Sequence, residues 1–182
     1  MGLKGWNVAV LVAIGAIWFA GSTQREKRVV GDTAHTDRVA LLEEQVAANP
    51  ADAARVGELA QGYLDARAPG MALASIERAP DTVRKQPTVE HLYARALLDQ
   101  GRSADALAAE RRVLAACEAA DEAANAADAL PACSAYLIAS ATRRADILAQ
   151  LVTLGVEDAN AHPEASSLAY HNATRQVSFS SR

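Results

Sequence analysis

The chain has 182 residues, a formal net charge of −4 and only 4% aromatic side chains. That length holds one domain with a core plus an appendage, and the charge balance excludes a broadly basic nucleic-acid surface. Hydrophobic residues reach 51%, much of it alanine; alanine loses no side-chain entropy in a helix, so the composition points to an all-α protein.

The stretch from Gly5 to Gly21, GWNVAVLVAIGAIWFAG, carries no charge. As a helix it would span about 25 Å, close to a hydrocarbon core of about 30 Å. Trp6 near one end and Trp18 and Phe19 near the other suit rings lying at the two interfaces. Lys4 precedes the stretch, and Arg25, Lys27 and Arg28 follow it. The leading reading is a transmembrane anchor over residues 1–24 and a linker over 25–36. A cleaved signal peptide is an alternative, with Ala20 and Ser22 framing a small-x-small site, although the QREKR that follows is basic for a mature start. A buried core helix is the third, and the missing amphipathic face argues against it. No cysteine follows for lipid attachment, and Trp6 stands where myristoylation wants Ser or Thr. Orientation is divided between the basic cluster after the stretch and Lys4 with the free amine before it. The alanine-rich, arginine-over-lysine composition suggests a bacterial inner-membrane protein with one span and a periplasmic domain.

VVGDTAHT, from Val29 to Thr36, has no helical period. From Asp37 the period becomes helical, with Val39, Leu42 and Val46 at steps of three and four. Asn49-Pro50 ends that helix and Asp52 can cap the next. Setting Ala53 on Pro87, a step of 87 − 53 = 34, brings Ala60 onto Ala94, Tyr63 onto Leu97, Ala72 onto Ala106, Leu73 onto Leu107 and Ala79 onto Val113. Small residues at these places allow two antiparallel helices to approach closely, and larger ones fill the space to the next pair.

With this period, and with Gln100-Gly101-Arg102 as a turn between helices, the chain resembles the tetratricopeptide-repeat family. Ala60 and Ala94 take the small position of helix A, Tyr63 the large one near its end, and Ala72 and Ala106 the small position of helix B. Asp37 to Ala48 is similar to a preceding half repeat. The chain departs from the family at Val56 and Glu90, where Trp is usual, at Glu110, where a bulky residue is usual, and at Arg84, where Pro is usual. The resemblance covers Asp37 to Leu114. It implies a helical domain over 37–182, with flanking helices capping the stack.

It also implies a partner groove lined by the A helices, with Gln61, Leu64 and Asp65 from one repeat and His91, Arg95, Leu98 and Asp99 from the other. Mixed polar and apolar groups suit a peptide or partner helix. The alternative is that these side chains pack against the C-terminal helices.

Farther on, Ser103 can cap a helix that meets no strong breaker until Pro131. Pro131 suits the first turn of another, running to Leu154 with Gly155 as its stop. Asp158 to His162 is a turn, Pro163 opens a last helix through about Val177, and the tail SFSSR is frayed. Cys117 and Cys133 match no zinc, haem or thioredoxin spacing. Were Ser103–Ala129 and Pro131–Leu154 one uninterrupted hairpin, the two would lie about 15 Å apart along the axis, whereas a disulfide needs Cα atoms within about 7 Å. Pairing therefore requires a break, within Ala119–Ala129. The alternative is two buried thiols. A disulfide would place the domain outside a reducing cytosol.

No phosphate-cradling glycine loop and no GxSxG elbow occur. His35, His91, His162 and His171 share no face with carboxylates at ligand spacing, so no metal, cofactor or catalytic residue is expected. Glu90-His91 invites an acid/base reading but reads more simply as a solvated pair. Glu43-Glu44 reads as a solvated face, and Arg111-Arg112 and Arg143-Arg144 as surface arginines. The expected function is a membrane-anchored, non-enzymatic interaction module, an adaptor or assembly factor, for a protein partner in a membrane or envelope complex. The rival is a structural accessory subunit of such a complex, held by its C-terminal helices and by the small-xxx-small pairs Ala9/Ala13 and Ala16/Ala20.

Overall fold

The computed structural model describes residues 33–127 and 133–179, with side chains over 36–123 and 133–175. The proposed anchor and most of the linker lie outside these residues. Among the described residues no helix is long and apolar enough to cross a membrane, and no strand occurs. The chain divides into two units, Met1–Thr36 and Asp37–Arg182, and the second is all-helical.

Eight described helices follow one another: α1 (Thr33–Ala48), α2 (Ala53–Asp65), α3 (Pro69–Glu77), α4 (Asp81–Arg84), α5 (Pro87–Asp99), α6 (Ser103–Ala127), α7 (Ala135–Thr153) and α8 (Pro163–Phe179). The sequence period of α1 starts at Asp37, but the helix begins at Thr33. As expected, the Asp52 carboxylate caps α2, accepting from the N–H of Ala54 and Arg55 at 3.0 and 3.2 Å. Pro87 and Pro163 open α5 and α8.

The helices pack as three successive pairs, α2/α3, α5/α6 and α7/α8. Cross-contacts give their directions. His91 and Glu90 of α5 meet Glu110 and Arg112 of α6, so these two helices are antiparallel. Gln61 meets Arg95 between α2 and α5, and His91 meets Ser140 between α5 and α7. The first helices of the three pairs therefore run side by side in one direction.

The seams are lined with alanine. Ala60, Ala72, Ala94, Ala96, Ala106, Ala109, Ala141 and Ala169 are all fully closed to solvent, and Val56, Val89, Leu97 and Leu148 fill the spaces between them. Ala60, Ala94 and Ala145 hold matching places in α2, α5 and α7, as do Tyr63, Leu97 and Leu148. The first step is 94 − 60 = 34 and the second is 145 − 94 = 51. Most of the difference lies in α6, which has 25 residues where α3 has nine.

The turns repeat as well. Gly101 after α5 takes a left-handed backbone (φ 77°), and so does Arg67, at the matching place after α2 (φ 55°). A Cβ on Gly101 would come within 2.8 Å of the Asp158 carboxyl carbon, so that turn has both a conformational and a steric reason for glycine. Arg67 holds the same backbone with a side chain attached.

Three expectations for the C-terminal half are corrected. Ser103 does not cap α6. Its N–H and hydroxyl both donate to the Glu157 carbonyl, at 3.1 and 2.6 Å, tying the start of α6 to the segment after α7. The helix expected from Pro131 begins at Ala135, where Ser134 accepts from the Leu137 N–H at 3.2 Å; residues 128–132, Pro131 among them, lie outside the description. Finally, the break expected within Ala119–Ala129 does not fall before residue 128, since α6 runs unbroken to Ala127; residues 128 and 129 lie outside the description.

The disulfide is nonetheless formed. Cys117 and Cys133 are bonded, with Cα atoms 5.5 Å apart. Ten residues of helix beyond Cys117 carry the chain about 15 Å away, and the six steps from Ala127 to Cys133 can cover about 20 Å when extended. The bond sits in a small cluster with Val113, Leu137 and Ala141, separate from the main core, and closing a loop of 16 residues stabilises by about 3 kcal/mol.

At the other end, α1 is held by Leu42 and by Tyr63, whose hydroxyl donates to the Glu43 carboxylate. Glu43 is thus engaged, not merely part of a solvated face. Burial, followed by the Glu43 carboxylate, pushes the Tyr63 phenol up to about 12. The folded state then holds this proton more tightly than the unfolded state, whose tyrosine titrates near 10, so the contribution is complete below pH 10 and is lost as pH rises towards 12. Replacing Tyr63 with Phe is expected to flatten the decline of thermal stability across that window, read by melting curves at pH 9 to 12. Arg67→Gly is expected to raise stability by about 0.5–1 kcal/mol, because it relieves a left-handed arginine; urea denaturation measures it, and a loss would mean that the Arg67 side chain outweighs its backbone strain.

Candidate functional site

The face presented by α2, α5 and α7 carries the seven residues expected to line a groove, and the structure treats them unequally. On the α2–α5 side, Gln61 donates to Asp65 at 2.6 Å and accepts from the Arg95 guanidinium at 3.3 Å, with Arg95 and Asp65 4.0 Å apart. Asp65, Arg95 and Asp99, with Arg67 and Asn160, surround a hollow of about 710 Å³. Leu64 lines this hollow while being mostly buried in the core, at 4% exposed. On the α5–α7 side, Leu98 joins Tyr136, Ala139, Ser140, Arg143, Arg144 and Ile147 around a second hollow of about 480 Å³. Tyr136 is 83% exposed there.

His91 departs furthest from expectation. It is not a solvated partner of Glu90. Its Nδ1 lies 2.8 Å from a carboxylate oxygen of Glu110 and its Nε2 3.2 Å from the Ser140 hydroxyl. The other Glu110 oxygen accepts from Arg144 at 3.1 Å, and the same guanidinium reaches the His91 carbonyl at 3.5 Å. Glu110 is fully buried. One carboxylate thus joins three helices: His91 from α5, Glu110 from α6, and Ser140 and Arg144 from α7. Glu90 in turn accepts from Arg112 at 2.8 Å. Arg144 is therefore a part-buried ion-pair partner, whereas Arg112 pairs with Glu90 from the surface and Arg143 is exposed as well.

Sequence reasoning marks Glu110 only as a departure from the repeat pattern. The signal that could have found the node is that departure itself. A carboxylate on an alanine-lined seam must be paired, because an unpaired buried charge costs several kcal/mol.

Ser140, His91 and Glu110 follow the order of nucleophile, base and orienting carboxylate. Two features distinguish the arrangement from such a triad. Glu110 also accepts from Arg144 through its other oxygen. Ser140 lies in the interior of α7, where neighbouring N–H groups are bonded along the helix and cannot form an oxyanion hole. Among the described residues, no three His, Cys, Asp or Glu side chains gather as a metal site. A smaller cavity of about 240 Å³ is lined by charged groups that include the pairs Asp81–Arg84 and Glu90–Arg112.

The chain matches no protein-family model, and no curated protein or solved structure is significantly similar to it.

Glu110→Ala is expected to destabilise the domain by about 3 kcal/mol, because it strands Arg144 and His91 against a closed seam. Ser140→Ala, which removes one peripheral hydrogen bond, is expected to cost no more than about 1.5 kcal/mol. Chemical denaturation of the two variants side by side checks the ranking.

Proposed function

We propose that the chain is a membrane-tethered interaction module of the tetratricopeptide-repeat type, which holds a segment of a protein partner across the face made by α2, α5 and α7. The observation that carries this reading is the contact between Gln61 and Arg95, which lie 34 residues apart on neighbouring first helices. Repetition of one helix pair at that step is the sequence signature of such repeats. The third pair extends the face beyond the two repeats visible in the sequence, so a bound segment would meet α2, α5 and α7 in turn. Tyr136 and Leu98 offer apolar anchors, and Asp65, Arg95, Asp99 and Arg143 flank them with charge. Such a surface suits a peptide or helix with an apolar centre and mixed charges around it.

The uncharged stretch 5–21 supports a tether, and the Cys117–Cys133 disulfide supports an oxidising compartment. Together they favour a bacterial inner-membrane protein with its helical domain in the periplasm. The partner would then be a component of a membrane or envelope complex. In this reading the domain binds and positions, and it performs no chemistry.

The test is recovery of partners from solubilised membranes by cross-linking and mass spectrometry, with wild-type chain and with Tyr136→Ala combined with Leu98→Ser. Both side chains lie outside the fully buried core, so helicity and melting temperature should hold. Losing a central aromatic anchor is worth about 2 kcal/mol, or roughly 30-fold in affinity. Partners that depend on the face should fall by that order. A partner set recovered equally by both chains would remove this face as the binding surface.

A further inference from the structure

The end of the stack formed by the last helix pair is not finished as an outer surface. Among the described residues the large hydrophobic side chains left exposed are Leu41, Met71, Tyr136, Val152, Leu154, Leu168 and Tyr170; Tyr136 borders the hollow towards α5, and four of the others lie in α7, at its end or in α8. Stacked helix pairs need a terminal unit with a polar outer face, since each pair otherwise offers its neighbour an apolar seat. The seat is visible. A cleft of about 500 Å³ runs between α7 and α8, lined by Ala139, Thr142, Arg143, Asp146, Tyr170 and Ala173. It has small residues at its floor and an aromatic ring on one wall, the surroundings that the stack uses elsewhere to receive a helix.

Charge identifies the occupant. Arg143 and Asp146 stand one helical turn apart on α7 and both line this cleft. Among the described residues neither has a hydrogen-bond or ion-pair partner, whereas neighbouring Arg144 is committed to Glu110. A two-fold axis passing between positions 143 and 146 would lay α7 antiparallel against α7 of a second copy. Each Arg143 would then face Asp146 of the second copy, and the pairing would occur twice, as an isologous contact requires. Ala139 and Thr142 are small enough for the backbones to approach. Tyr170 and Leu168 would close over the edge of the contact.

We infer that the chain forms a two-fold dimer through the outer face of α7 and α8, with reciprocal Arg143–Asp146 ion pairs across the axis. Arg143 also borders the hollow of the partner-binding face, whereas Asp146 lines this cleft and not that hollow, so Asp146→Arg tests the dimer apart from that face; a monomer that still captured its partner would overturn the dimer alone.

The test is sedimentation equilibrium of the full chain in density-matched detergent. Wild type is expected at twice the chain mass. Arg143→Glu alone and Asp146→Arg alone each set like charges against one another twice, and each is expected to weaken the dimer at least about 30-fold. Mixed together, these two variants restore opposite charges at both contacts and are expected to associate one to one. A monomeric wild type overturns the inference. So do single variants that dimerise as well as wild type, which would place the contact elsewhere, for example in the apolar N-terminal stretch. A mixture that stays monomeric overturns the charge pairing, and a mass that grows beyond the dimer with concentration points to head-to-tail stacking and overturns the two-fold axis.

Discussion

The fold turns on one buried carboxylate. Glu110 lies on the seam of α6, fully closed to water, between α5 and α7. Desolvating a carboxylate costs several kcal/mol, and only close, well-directed donors recover it. Arg144 and His91 supply them, one to each oxygen. An apolar residue at position 110 could pack as tightly without any such requirement. What the carboxylate adds is register: α7 can dock only where Arg144 meets Glu110 and Ser140 meets His91. A slip of one helical turn along α6 would leave a charge stranded. Alanine seams are smooth and permit close approach at several registers, so a polar lock is a physical complement to them.

The remainder of the third pair is held by chemistry of a different kind. Beyond Leu114 the long helix α6 leaves the main core, and its contacts there are the small cluster around Cys117 and Cys133. That cluster buries little apolar area, and a covalent link does what packing cannot. Glu110 and the disulfide thus fix α7 against α6 at two points, seven residues apart on α6, about 10 Å along its axis. The Ser103 hydrogen bonds to Glu157 add a third point at the far end of α7. A helix pair held at both ends can present side chains on its other flanks without those side chains contributing to stability.

This division explains what is legible in the sequence. The first two pairs can be read because both use the same local rules: a capping Asp52, alanines at matching seam positions, and turns at a shared step. The third pair obeys those rules too, since Ala145 and Leu148 repeat Ala94 and Leu97, but the lengthened α6 changes the step to 51 and hides it from any search at one period. The candidate groove is legible as a face and not as a list. Asp65, Arg95, Leu98 and Asp99 border the two hollows because their positions on the helix decide exposure. Leu64 lines the first hollow too, but most of its side chain is turned to the core. His91 and Glu110 escape local reading because the partner that gives them meaning, Arg144, is 53 residues from His91 and 34 residues from Glu110, on a helix whose placement no local pattern fixes. The start of α7 escapes it for a simpler reason: proline at a first turn is permitted, but the hydroxyl of Ser134 makes the actual cap.

α7 brings these strands together, because each of its flanks has a different task. Leu137, Ala141, Ala145, Leu148 and Leu151 are buried and seat the helix. Tyr136, Ser140, Arg144 and Ile147 face the hollow shared with α5. Ala139, Thr142 and Asp146 face the open end. Adjacent residues on a helix point about 100° apart, so Arg143 and Arg144, neighbours in sequence, are divided between the outside and the Glu110 node. A double arginine in an alanine-rich helix looks like solvated surface when read by composition. Read by angle, one arginine locks the helix in place, and the other stands at the mouth of both hollows. Arg143, Asp146 and Tyr170 thus stand together at the open end while Tyr136 borders the neighbouring hollow, and none of the four is among the residues that seat the helix.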